Sequence, residues 1–103
     1  MKELDAKELL HWQQNATMFE LLDVREPHER EAAHIGGIFI PMGECLARSA
    51  EIPSDRPVVV YCKKGIRSAI VIQRLTDKLG LQNLYNLKGG ITAWQALDAP
   101  GPA

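Results

Sequence analysis

Cysteine is scarce in this chain. Only Cys45 and Cys62 occur in 103 residues, too few for a disulfide scaffold. No stretch approaches the roughly 18 continuous apolar residues that a membrane-spanning helix requires. The opening Met1-Lys2-Glu3-Leu4-Asp5 is charged where a secretory signal would carry an apolar run. Neither sign of charge is in excess: 12 Lys and Arg face 13 Asp and Glu, a formal net charge of −1. Such a balance provides no global electrostatic drive toward nucleic acid or an anionic membrane, and neither is expected as a partner. Metal-ligand spacing is missing too. There is no Cys-x-x-Cys, and His28 and His34 stand six residues apart with no Cys at ligand spacing, so no metal site is expected. Repeats, low-complexity tracts and internal linkers are absent from the sequence.

What remains is an ordinary globular mixture, 46% apolar and 24% charged, of a length suited to one domain. The expected domain spans residues 1–98, followed by a flexible tail over 99–103 that includes Pro100-Gly101-Pro102. A soluble, cytoplasmic protein is the expectation.

Helical and strand patterns alternate along the chain. Asp5-Ala6-Lys7-Glu8 fits a capping box, opening a helix to about Asn15 with Leu9, Leu10 and Trp12 as its apolar face. Phe19 to Val24 reads as a buried strand, and Pro27 suits the first turn of a short helix to about Ala33. Ile38-Phe39-Ile40 is a short strand ended by Pro41, and a helix is expected from about Gly43 to Ala50. Pro53 to Pro57 is a turn, and Val58-Val59-Val60-Tyr61 is the strongest strand, an uncharged β-branched run. Ser68 to Leu79 has helical spacing, with Gly80 as its stop. Leu84 to Leu87 is a strand, and Ile91 to Leu97 a last helix with Trp94 as a core anchor. The alternation predicts an α/β domain: a small, mainly parallel sheet flanked by helices in three layers.

In open α/β sheets, ligands gather at the carboxyl ends of the strands. Cys62 stands there, between the most buried strand and a helix. A loop curling into a helix N-terminus turns backbone N–H groups inward, and the helix dipole favours thiolate over thiol. Gly65 permits a tight turn and close approach of an anion. Lys63, Lys64 and Arg67 place three cations within six residues and no acid among them. Cys62 is therefore the candidate nucleophile, and Lys63, Lys64, Gly65, Ile66, Arg67 and Ser68 form the candidate anion-binding loop. Cys45 lacks that context and is read as a packing residue. His11, His28 and His34 cannot be placed beside Cys62 from sequence.

The chain resembles the rhodanese (sulfurtransferase) family from Lys2 to about Leu97. Four segments in family order carry the likeness: Leu21 to Glu29 with its Asp-x-Arg, His34 to Pro41, Val60 to Ala69 with Cys-x-x-Gly-x-Arg-Ser, and Leu87 to Trp94 with Gly-Gly-x-x-x-Trp. Phe39 stands where the family commonly has a polar residue. The resemblance implies that Cys62 attacks the outer sulfur of an anionic donor such as thiosulfate, becomes a persulfide, and hands the sulfur to a thiophilic acceptor. Such an acceptor would be cyanide, a small thiol or a sulfur-accepting protein. It implies no cofactor, because sulfur is both nucleophile and carrier. Asp23 and Arg25 are expected to support the site as a structural pair.

Two other functions stay open. One is a persulfide carrier or docking module in protein thiolation or molybdenum-cofactor pathways. The other is a Cys-based phosphatase, disfavoured because such enzymes use Cys-x5-Arg, whereas Cys62 and Arg67 are spaced Cys-x4-Arg. The physiological donor, the acceptor and the oligomeric state are not legible.

Overall fold

A computed structural model describes residues 1–15 and 17–97. The expected domain boundary at 98 and the Pro/Gly tail lie outside the described residues. Five strands form one sheet in the order β1-β5-β4-β2-β3, every neighbouring pair parallel. The strands are β1 (Glu3–Leu4), β2 (Glu20–Asp23), β3 (Ile38–Phe39), β4 (Val58–Tyr61) and β5 (Leu84–Leu87). The helices are α1 (Ala6–Gln14), α2 (Pro27–Ala32), α3 (Ile66–Leu79) and α4 (Gly90–Gln95).

β4 shows why the sheet is covered on both faces. Alternate side chains of a strand point to opposite faces. Val58, Val60 and then Cys62 join a cluster with Leu22, Val24, Ile40, Val71, Ile72 and Leu75. Val59 and Tyr61 join the opposite cluster, with Leu4, Leu9, Leu21, Leu87 and Ile91. α3 closes the first face, while α1 and α4 close the second. Trp94 is partly buried against the second cluster, as is Trp12, whose ring meets Phe19 and Tyr85 at 5.6 and 5.5 Å.

Both halves of the expected capping box form. The Asp5 carboxylate accepts the Glu8 N–H at 2.8 Å, and Glu8 accepts the Asp5 N–H at 3.2 Å. The short edge strand is completed by pairing rather than length: Glu3 lies opposite Asn86 and Leu4 opposite Leu87.

The expected helix over 43–50 does not form. Two 3₁₀ turns stand there instead, Met42–Glu44 and Ser49–Glu51. The Ile40 and Met42 amides are already committed to the Asp23 and Val24 carbonyls, so the segment leaves the sheet in extended form. Gly43 then weakens helix propensity, and a segment this short has no broad apolar face to compensate: Cys45 is buried while Leu46 is exposed. α3 also starts two residues earlier than expected, at Ile66, because Gly65 takes the left-handed conformation (φ 98°) and turns the chain at once. α4 spans Gly90–Gln95 rather than 91–97.

β2 is followed by a connection to β3 on one side, and β4 by a connection to β5 on the other. The switch point lies between β2 and β4, and the segments leaving their carboxyl ends flank one crevice there. Asp5→Ala should lower the unfolding free energy by about 1 kcal/mol through loss of the cap, read as a lower urea midpoint with unchanged slope.

Candidate active site

Cys62 leaves the end of β4 with 1% of its surface exposed. Its Sγ accepts the Gly65 N–H at 3.1 Å and the Ser68 N–H at 3.4 Å, and lies 3.3 Å from Ser68 Oγ. Burial pushes the thiol pKa up. The Ser68 hydroxyl, when it is turned to the sulfur, and the backbone amides of Ser68, Gly65 and Lys64 outweigh that effect, leaving it below the ordinary cysteine value. Cys45 gives the contrast. It is equally buried, its Sγ faces the Ile40 and Pro41 carbonyls at 3.4 and 3.6 Å, and burial pushes its pKa up to about 11.

The loop amides face the sulfur because the loop carbonyls are tied behind. The Ile91 N–H bonds the Cys62 carbonyl at 2.9 Å, and the Thr92 N–H bonds the Lys63 carbonyl at 3.1 Å. Asn86 Nδ2 donates to the Gly65 carbonyl at 3.0 Å. Gly90 makes this docking possible. A Cβ there would come within 2.4 Å of the Cys62 and Lys63 carbonyl oxygens. The Gly-Gly segment thus serves the loop 25 residues upstream by letting α4 press its first amides onto it.

The cations divide into two kinds. Lys63 and Lys64 are exposed and have no ion-pair partner among the described residues. Arg67 is half-buried, and its guanidinium grips Glu29 of α2 at 2.6 and 2.9 Å. That pairing, with a further bond from the Glu26 N–H, holds the Glu29 carboxyl down to about 2. Ile66 is 70% exposed and touches the site only through its place in the chain, whereas Ser68 is fully buried.

Asp23 and Arg25 form a separate buried unit, 0% and 4% exposed. The Arg25 guanidinium donates twice to Asp23, both at 2.9 Å, and once to the Ala33 carbonyl at 2.7 Å, and the Arg25 N–H bonds Asp23 Oδ1 at 3.1 Å. Arg30 reaches Asp23 at 3.5 Å and the Gly36 and Gly37 carbonyls at 3.2 and 3.1 Å. These bonds brace the segment from α2 to β3; none of them reaches the Cys62 loop. Glu29 and Asn86 are the site residues that sequence reasoning missed. Glu29 is one of two acids in α2, with nothing in the sequence to single it out. Asn86 does carry a signal, a polar residue inside the apolar run Leu84-Tyr85-Asn86-Leu87.

Among the described residues, no group of three His, Cys, Asp or Glu is placed to hold a metal ion, and no helix is long and apolar enough to cross a membrane. A groove of about 410 Å³ lies elsewhere, at the strand starts between Lys2, Ile72 and Leu84, and includes no residue of the 62–68 loop.

Cys62 is thus a buried thiol cradled by backbone amides at the end of a central parallel strand, an arrangement that favours negative charge there. The family model described as rhodanese-like domain matches residues 5–97. The chain is 38% identical over 94 residues to the probable adenylyltransferase/sulfurtransferase MoeZ of Mycobacterium tuberculosis, covering 85% of this chain and 23% of that protein. It is 32% identical over 99 residues to the thiosulfate sulfurtransferase GlpE of Shewanella oneidensis, covering 95% and 96%. It is also 45% identical over 76 residues to YqhL of Bacillus subtilis, an uncharacterized protein, covering 73% of this chain and 60% of that one. The crystal structure of a rhodanese-related protein from Thermoplasma volcanium superposes with a TM-score of 0.81 at 30% identity, covering 97% and 96%. The chain belongs to the rhodanese-like domain family, whose members include named sulfurtransferases.

Arg25→Ala leaves the buried Asp23 charge with only the longer Arg30 contact and should cost about 3–5 kcal/mol in denaturant unfolding, while Lys63→Ala should stay within about 0.5 kcal/mol. The Glu29–Arg67 pair gives an acid signature. Its folded-state pKa lies below the unfolded one, so its stabilisation is present in full above about pH 4.5 and is lost as pH falls toward 2. Glu29→Gln should therefore flatten the stability-against-pH curve in that window, by about 1–2 kcal/mol for a pair partly screened by solvent.

Proposed function

We propose that this protein is a sulfurtransferase that takes sulfane sulfur from an anionic donor such as thiosulfate onto Cys62 and passes it to a thiophilic acceptor. The Cys62 thiolate attacks the outer sulfur of thiosulfate. The new S–S bond forms as the old one breaks, and sulfite departs with the bonding electron pair. The product, a Cys62 persulfide anion, carries its charge on the outer sulfur. Cyanide or a thiolate then attacks that sulfur and restores the Cys62 thiolate.

The observation that carries this reading is the pair of amides, Gly65 and Ser68, directed at Cys62 Sγ. Such donors stabilise a negative sulfur as an oxyanion hole stabilises an oxygen. Lys63 and Lys64 supply positive potential for the donor and the leaving sulfite. Arg67 adds to that potential, reduced by its pairing with Glu29. Asp23 and Arg25 support the site by bracing the crevice wall, without touching the sulfur. The free thiols of Cys45 and Cys62 suit a reducing compartment such as the cytoplasm.

A second reading, a persulfide carrier for a protein acceptor, draws on the likeness to MoeZ and on Ile66 and Ile70. These two side chains are exposed one helical turn apart in the first turns of α3, the helix that follows the Cys62 loop. Turnover separates the readings, since an enzyme cycles with small acceptors and a carrier loads once.

The deciding measurement is the intact mass of reduced protein after brief exposure to thiosulfate. We expect a gain of one sulfur atom, discharged by cyanide and absent in Cys62→Ser. Folded protein that gains nothing at any thiosulfate concentration would overturn the proposal. Replacing Lys63 and Lys64 with Ala should raise the thiosulfate KM several-fold, an effect that shrinks with added salt.

A further inference from the structure

Asn86 is 4% exposed and sits directly behind the Cys62 loop. Its two amide ends are distinguishable by their partners. The Gly65 carbonyl can only accept, so the group 3.0 Å from it is the Asn86 NH₂. The other end, Oδ1, can also only accept, and it lies 2.6 Å from Ser68 Oγ. Ser68 has a single hydroxyl proton, and that proton therefore points at Asn86. What Ser68 presents to Cys62 Sγ, 3.3 Å away, is a lone pair. The hydrogen in that contact belongs to the thiol. The polarity runs in one direction through the chain: Cys62 to Ser68, Ser68 to Asn86, Asn86 to Gly65.

A thiolate, or a sulfur that has lost its proton, reverses the first link. It is an acceptor facing an acceptor until the Ser68 hydroxyl turns toward it, and turning leaves Asn86 Oδ1 buried without a donor. We propose that Asn86 is a positioning residue that sets the charge state of Cys62 by holding the Ser68 hydroxyl away from it. With Ser68 turned to Asn86, the neutral thiol is favoured. With Ser68 turned to the sulfur, the anion gains a third donor beside the Gly65 and Ser68 amides. The same buried carbonyl thus opposes ionisation of the resting thiol.

The charged groups around the sulfur are Lys63 and Lys64 of the loop, Arg67 of α3, and Glu29 of α2 bound to Arg67. Asp23 and Arg25, at the end of the neighbouring β2, neutralise each other. β5 and α4, which also pack against the loop, carry no charged side chain. None of these charges changes when Asn86 is replaced by an apolar residue.

This inference rests on the reading of Cys62 as the reacting thiol, but its test needs no sulfur donor, so the two can fail separately. Cys62 ionisation is followed by the pH dependence of iodoacetamide alkylation, read by mass on the Cys62 peptide. Four proteins are compared: unmodified, Asn86→Leu, Ser68→Ala and the double variant. Loosening of the loop by loss of the Gly65 bond enters both pairs equally, and the difference between them isolates the part routed through the Ser68 hydroxyl. We expect Asn86→Leu to lower the midpoint, relative to its effect in the Ser68→Ala background, by about half a pH unit or more. An equal shift in both backgrounds, or a relative rise, overturns the proposal. If a variant does not fold, the unmodified protein is titrated by NMR. The Asn86 carboxamide carbon should move with the Cys62 midpoint, while that of Asn83, bonded to the Pro53 and Arg56 carbonyls, stays fixed. An Asn86 signal that is also unmoved overturns the proposal.

Discussion

The site depends on the backbone polarity of one tight loop. Between β4 and α3, the carbonyls of Cys62, Lys63 and Gly65 are bound from behind by α4 and Asn86, and the amides of Gly65 and Ser68 meet the sulfur. Without those tethers, the loop carbonyls would be free to turn inward and oppose negative charge on Cys62. The order of elements follows from this requirement. β5 must lie beside β4 to bring Asn86 into reach, and the Gly89-Gly90 turn must start α4 close enough to touch the loop backbone. An anion site made of amides needs no side-chain charge in contact with the sulfur, which is why a chain of net charge −1 can hold one.

Two ion pairs near the crevice do different work because their burial differs. Asp23 and Arg25 are removed from water, satisfied by each other and by backbone groups, and hold the path from α2 to β3. Their contribution is to shape. Glu29 and Arg67 join α2 to α3 across the crevice and remain partly wet. Their contribution is to charge, since Glu29 offsets the arginine nearest the anion site. The lysines are left as the unpaired cations of the loop among the described residues.

The two thiols show how little residue type decides. Both are almost wholly buried. Cys45 meets carbonyl oxygens and stays protonated, while Cys62 meets amides and is drawn toward ionisation. Burial alone raises both, and the direction of neighbouring backbone dipoles separates them.

Much of this architecture was legible in the chain. The Val58 to Tyr61 run, the capping box at Asp5 and the glycine stop at Gly80 are local signals, and they determined the α/β alternation and placed Cys62 at a strand end before a helix. Local signals failed at 43–50, where Gly43 and the lack of a broad apolar face leave two 3₁₀ turns in place of the expected helix. They also could not reveal that Arg67 faces Glu29, 38 residues away, or that Ser68 spends its proton on Asn86, 18 residues away. The sequence determined which chemical groups are present and in what order. Which donor meets which acceptor was settled only once the chain had folded, because hydrogen-bond partners are chosen by distance and direction in space rather than by position along the chain.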